Sequence, residues 1–122
     1  MAEHNDRGVE AEEIVAEYLA SRGFHIRHRN WRYFQKEIDI VAEFCGELII
    51  VEVKSRSGFD RATAEELISR GKQRFIVDAA EAYINRFKIE CETRFDVLIV
   101  TFSGNGPVVE HIENAFIPGV NW

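Results

Sequence analysis

The chain has 122 residues, 46% hydrophobic and 30% charged, which suits one soluble globular domain, residues 1–122, able to bury a core. Its formal net charge of −6 argues against a protein that coats nucleic acid by charge alone. No apolar run approaches the roughly 20 residues that span a bilayer, and two cysteines without CxxC spacing argue against a zinc cluster and for a reducing compartment, expected to be the cytoplasm. The opening residues, Met1 to Asp6, lack a basic segment followed by an apolar one, so no secretory signal is expected.

The first predicted element is a helix over residues 7–21. Ala11, Ile14, Val15, Tyr18 and Leu19 share one helical stripe, and Gly23 supplies a stop. Glu10, Glu13 and Glu17 then face water. Glu12 lies at the stripe's edge, as a solvated flank residue or as one that reaches a site at the sheet rim. A strand follows over residues 24–33. From His25 to Lys36 the chain carries Arg27, Arg29, Arg32 and Lys36 around Trp31, with no acidic residue. Such a strand can track a phosphate backbone and offer a stacking surface; the alternative is an edge strand whose charges block edge-to-edge pairing. Arg56, Arg61, Arg70 and Arg74 could extend the basic surface. The four histidines show no metal-ligand spacing.

Strands over 37–44 and 47–54 flank Cys45-Gly46, a candidate two-residue hairpin loop. A polar loop covers 55–63. Thr63 and Glu66 form a capping-box pattern for a short turn or helix, which Gly71 is expected to interrupt. The main second helix is predicted over 72–86, with Ile76, Ala79, Ala80, Tyr83 and Phe87 on its buried stripe. Lys72 sits at the helix N-terminus, the unfavourable end of the macrodipole for a cation. A carboxylate cluster or a bound phosphate would suit it, with Gln73 beside it contacting ligand; the alternative for both is a snorkelling surface pair. The run Val97-Leu98-Ile99-Val100 within 94–102 reads as a strand covered on both faces. Residues 103–107 form a turn and 108–112 a last short strand. The order αβββαββ implies an α/β fold with a central mixed sheet flanked by helices.

Two strings carry charge into apolar strands: Glu37-Ile38-Asp39 and Glu52-Val53-Lys54. Buried charge is costly unless paired or bound to a metal. With Cys45-Gly46 as the loop, Phe44 faces Glu47, Ala42 faces Ile49, and Asp39 falls opposite Glu52. Opposed residues in an antiparallel pair stand about 4.5–5.5 Å apart at Cβ, so two carboxylates there repel. A cation between them removes the conflict. Lys54 lies on the same face as Glu52 and in this register faces Glu37. Two carboxylates can hold Mg²⁺ or Mn²⁺ with waters completing the shell, the metal polarises a phosphoryl oxygen, and an adjacent lysine stabilises developing charge. Phosphodiester hydrolysis needs these parts. The alternative is a structural ion pair of Lys54 with Glu37 or Glu52 on a solvated hairpin face.

Taken in order, Glu12 on a helix, Glu37-Ile38-Asp39, Glu52-Val53-Lys54, Lys72-Gln73, Arg94-Phe95-Asp96-Val97 and His111-Ile112-Glu113-Asn114-Ala115-Phe116 resemble the YraN-like family of uncharacterised bacterial proteins. The resemblance covers nearly the whole chain. The family is similar to the restriction-endonuclease-like superfamily with its PD-(D/E)XK signature, and in style to archaeal Holliday junction resolvases. It implies a three-layer α/β/α fold, with Mg²⁺ held by Asp39, Glu52 and the Val53 carbonyl. Lys54 would be the catalytic lysine and Glu12 would match the helix-one acid. Arg94 to Val97 would be a buried core strand, and Asn114-Ala115-Phe116 a terminal structural motif. Two positions depart from the pattern: Ala11 stands where glycine usually precedes the helix acid, and Lys36 where glycine usually precedes Glu37. Lys36 adds a cation beside the site.

The resulting expectation is a Mg²⁺- or Mn²⁺-dependent endonuclease acting on DNA, in particular branched or damaged DNA in repair or recombination, with RNA as another possible substrate. Glu12, Glu37, Asp39, Glu52 and Lys54 form its catalytic set. Arg27, Arg29, Arg32, Arg56, Lys72 and Gln73 are expected to bind the nucleic-acid backbone. Cutting a junction favours a homodimer, because two incisions need two symmetric sites. The competing expectation is a nucleic-acid-binding or adaptor protein that keeps the fold without turnover.

Overall fold

Helix α1 (His4–Ser21) opens the computed structural model, which describes residues 4–58 and 62–119. Ala11, Val15 and Leu19 on its predicted stripe are fully buried, and Ile14 and Tyr18 partly so. The stop works as glycine stops do. Gly23 takes a left-handed φ of 91° and the Phe24 N–H donates to the Leu19 carbonyl at 3.0 Å.

Five strands form one mixed sheet in sequence order: β1 (His25–Tyr33), β2 (Lys36–Phe44), β3 (Glu47–Ser57), β4 (Thr93–Phe102) and β5 (Val108–Ile112). All neighbouring pairs are antiparallel except β3 and β4, which run parallel. A parallel pair needs a crossover, supplied by the short α2 (Ala64–Leu67) and by α3 (Arg70–Phe87). Cys45 and Gly46 adopt φ of 52° and 80°, both left-handed, and Phe44 pairs with Glu47, so the predicted two-residue loop holds, and its register holds as far as Ile40 opposite Val51. β3 runs three residues past its predicted end because β4 stays paired with it as far as Ser57 opposite Phe102.

The capping box closes on itself. The Thr63 N–H donates to Glu66 Oε1 at 2.7 Å and the Glu66 N–H to Thr63 Oγ1 at 3.2 Å. The short helix ends at Leu67, before Gly71, the residue expected to interrupt it, and α3 begins at Arg70, so Gly71 lies inside the main helix and not ahead of it. Ser69 caps α3, its Oγ accepting the Lys72 N–H at 3.2 Å. Gly71 thus falls in the first turn, where that cap offsets its low helix propensity.

One helix covers each face of the sheet. Ala11, Val15 and Leu19 of α1 pack on Ile40, Ala42, Ile49 and Leu98. Ile76, Ala79, Ala80 and Tyr83 of α3 pack on Ile38, Val41, Ile50 and Val97. Residues 97–100 are buried from both sides, as their unbroken apolar run requires. Each fully buried isoleucine or leucine of β3 contributes roughly 1.5–3 kcal/mol.

A polar hub sits inside this apolar frame. The Asp96 side chain is fully buried. It accepts two hydrogen bonds from Arg94, each at 2.9 Å, and one from the Asn114 N–H at 3.0 Å, and His111 Nε2 lies 2.7 Å away. These bonds join β4, β5 and the segment after β5. The Ala115 N–H donates to the Phe95 carbonyl at 2.7 Å and Phe116 stacks on Phe95, completing the tie.

Candidate functional site

The candidate site lies where β2 and β3 part. Ile40 with Val51 is the last pair of their ladder among the described residues. Continuing that register would set Asp39 opposite Glu52 and Ile38 opposite Val53. Instead Asp39 Oδ2 accepts the Val53 N–H at 2.8 Å, taking the place of a backbone carbonyl. The N–H and C=O of one strand residue point to the same edge, so the Val53 carbonyl also faces the fork.

Glu52 is 4% exposed, which only counter-charge makes tolerable. Lys54 Nζ lies 3.3 Å from Glu52 Oε2, and Lys72 Nζ reaches the same oxygen from α3 at 3.6 Å. Lys54 does not pair with Glu37. Once β2 leaves β3 it stays paired with β1, where Glu37 faces Arg32 and the two charges approach to 3.8 Å. Glu12 enters from α1, its Oε1 accepting from Asn30 Nδ2 at 3.0 Å. Asn30 is left-handed, with φ 53°.

Burial, followed by repulsion from Glu52 and Glu12, pushes the Asp39 carboxyl up to about 8, against the opposing pull of the Val53 N–H and Lys72. The Asp39 carboxyl thus responds to charges on α1, β3 and α3, namely Glu12, Glu52 and Lys72. The donor set fits a hard divalent cation. Asp39, Glu52 and the Val53 carbonyl are all oxygen donors, and a cation would relieve the repulsion on Asp39. Among the described residues no group of three or more His, Cys, Asp or Glu side chains is placed to hold a metal ion. Mg²⁺ needs none, since it keeps several waters beside one or two carboxylates.

A cavity of about 780 Å³ opens beside Asp39, with Arg32, Phe34, Lys36, Lys72 and Phe75 among its walls. Of the six predicted backbone-binding residues, Arg32 and Lys72 line it. Arg27 turns toward α3, donating to the Tyr83 hydroxyl at 2.7 Å and to Glu43 at 2.8 Å, contacts that raise its pKa further. Arg29 pairs with Glu13 of α1 at 3.2 Å. Arg56 bonds Thr101 Oγ1 at 3.0 Å and the Ala62 carbonyl, and lies 3.6 Å from Glu110. Gln73 Nε2 donates to the Ile68 carbonyl at 3.4 Å. Arg61 lies outside the described residues. The basic stretch therefore divides between faces instead of forming one track. An irregularity between Ile26 and His28, together with left-handed Asn30, breaks its alternation.

The cavity's other lining residues, Phe34, Gln35, Lys36, Phe75 and Ile76, are not among the predicted site residues. Lys36 places Nζ 5.1 Å from the Phe75 ring centroid. Phe34, 80% exposed, occupies the first position of the two-residue loop between β1 and β2 with a φ of 57°. That conformation costs an L-residue roughly 1–2 kcal/mol. The signal was present in the sequence: a phenylalanine stands where a hairpin loop calls for Gly, Asn or Asp.

The sequence profile of the uncharacterised protein family UPF0102 matches residues 11–100. A UPF0102 protein of Phocaeicola vulgatus is 42% identical over 120 residues, covering 98% of this chain and 99% of its own. One from Bacteroides fragilis is 45% identical over 118 residues, covering 97% and 98%. Another, from Flavobacterium johnsoniae, is 35% identical over 120 residues, covering 95% and 98%. Because profile and relatives span the helix acid, both charged strings and α3, the chain belongs to the uncharacterised protein family UPF0102, which its motif series resembles.

Proposed function

We propose that this chain is a metal-dependent nuclease that hydrolyses phosphodiester bonds in DNA, built on a restriction-endonuclease-like arrangement of its three layers. The observation that carries the proposal is the strand fork, where Asp39 accepts the N–H of Val53, the residue between Glu52 and Lys54, and where Asp39 and Lys72 line a cavity with Arg32, Lys36 and Glu37. Asp39, Glu52 and the Val53 carbonyl would hold Mg²⁺ or Mn²⁺. When bound, such an ion polarises a phosphoryl oxygen and makes water a nucleophile near neutral pH. Lys54, 28% exposed at its side chain and steered by Glu52, stabilises charge developing on the phosphate or orients the attacking water. Lys72 offsets the negative field around Glu52 and borders the phosphate path. Glu12 supports the site from α1, and Glu37 positions Arg32 at its rim. If the substrate is branched, paired incisions call for a second copy of the chain.

The test is cleavage of labelled four-way junction, flap, duplex and single-stranded DNA, with RNA in parallel, in Mg²⁺ or Mn²⁺. Lys54→Ala should lower cleavage by roughly 10²-fold or more, while calorimetry still detects Mn²⁺. Asp39→Asn should lose the Mn²⁺ isotherm, and an unchanged isotherm would place the metal elsewhere. A second reading, a non-catalytic binding or adaptor protein, draws on one feature: Glu52 already carries two lysine ion pairs, so part of the site is neutralised internally. Intact folded protein that binds DNA but cuts none of the panel would favour it.

A further inference from the structure

Phe34 and Phe75 are 80% and 53% exposed, and both line the cavity that opens beside Asp39. Phe34 holds a left-handed backbone at a hairpin tip, where Asn or Gly would sit without strain. Little burial compensates that strain, so the ring is best explained by something it contacts outside the chain. Its nearest aromatic neighbour, Tyr33, meets it edge-on with centroids 4.7 Å apart. Arg32, Lys36 and Lys72 put three cations on the same cavity beside the carboxyls of Glu37 and Asp39, in a chain whose overall charge is −6. Exposed aromatic faces interleaved with cations suit a ligand with flat π-surfaces on an anionic backbone. Bases inside a duplex do not offer their faces; unpaired bases do.

We propose that Phe34 and Phe75 form a stacking clamp for an unpaired nucleobase, so that the preferred ligand is single-stranded or locally unpaired nucleic acid threaded past Asp39. This rests on the nucleic-acid reading of the site and adds the strand state of its ligand. The clamp acts by binding, so it requires no turnover.

The test uses the full chain in EDTA, with fluorescein-labelled single-stranded and matched duplex oligonucleotides and a single strand containing 2-aminopurine. Wild type should bind the single strand more tightly and quench 2-aminopurine. Phe34→Asn, which suits the left-handed backbone, should melt no lower than wild type yet weaken single-strand binding roughly 5- to 100-fold. It should abolish the quench and leave duplex binding unchanged, and Phe34→Trp should restore both. The clamp is overturned if Phe34→Asn binds the single strand as wild type does, or if it alters only sedimentation, which would mark a protein interface. Loss of the two readings separates cleanly. Persistent cutting in Mn²⁺ that ignores Phe34→Asn removes the clamp alone, whereas Phe34-dependent binding without any cutting removes the catalytic reading alone.

Discussion

Asp39 accepts one backbone N–H, lies beside two other carboxylates, and has its pKa pushed up to about 8. An unfolded aspartate titrates near 3.9, so between these values the folded, metal-free chain holds a proton that the unfolded chain has released. The stability linked to that proton is complete below the unfolded pKa and is lost as pH rises through about 8. The metal-free melting temperature should therefore fall across roughly pH 4 to pH 8 on this account. Asp39→Asn should flatten that fall and, at the alkaline end, exceed wild type by on the order of 2 kcal/mol. A variant less stable than wild type throughout would show that the carboxylate is fully compensated. Asp96 is a carboxylate fully enclosed by donors. Its carboxylate satisfies Arg94, His111 and the Asn114 N–H. Asp96→Ala would strip the Arg94 guanidinium of its two short hydrogen bonds, leaving the longer contacts to Glu47 at 3.5 Å and Glu113 at 3.9 Å, and urea titration should show a loss of roughly 1.5–3 kcal/mol. A loss below 1 kcal/mol, about the worth of one ordinary hydrogen bond, would mean that water replaces the carboxylate.

At the scale of elements, the β2–β3 hairpin was readable because Cys45-Gly46 is short, separates two apolar runs and fixes the register of every pair behind it. Cys45 nevertheless sits left-handed without being Gly or Asn. Cys45→Asn should raise stability by about 0.5–1 kcal/mol in denaturant, since Asn-Gly is the favoured pair for this loop. The fork at Asp39 was not readable, because residue pattern sets which face a side chain takes but not where a ladder stops. The start of α3 was misread for a related reason: Ser69 is an ordinary polar residue until its Oγ meets the Lys72 N–H. Asp96 figured in the sequence only within Arg94 to Val97, the core strand that the resemblance implies, and its role as a polar hub was not legible there. Two of its partners, His111 and Asn114, lie 15 and 18 residues away and approach only after β5 folds back on β4.

For the molecule as a whole, charge is sorted by place. The chain is acidic overall, yet Arg32, Lys36 and Lys72 gather at one cavity. If those three make the phosphate contacts, log affinity for a single strand should fall with log salt at a slope of about −2. A slope steeper than about −5 would require a second cationic face. The sheet's connectivity has a kinetic consequence. Every strand neighbour except β3–β4 closes through a local hairpin or turn, and that parallel pair must await the crossover. Lys72 rides on the crossover helix, so Glu52 gains this counter-charge only when the slowest, most non-local contact forms. The acidic fork is then completed late on the folding route. Lys72→Met should accelerate unfolding while leaving the refolding rate nearly unchanged in stopped-flow chevrons.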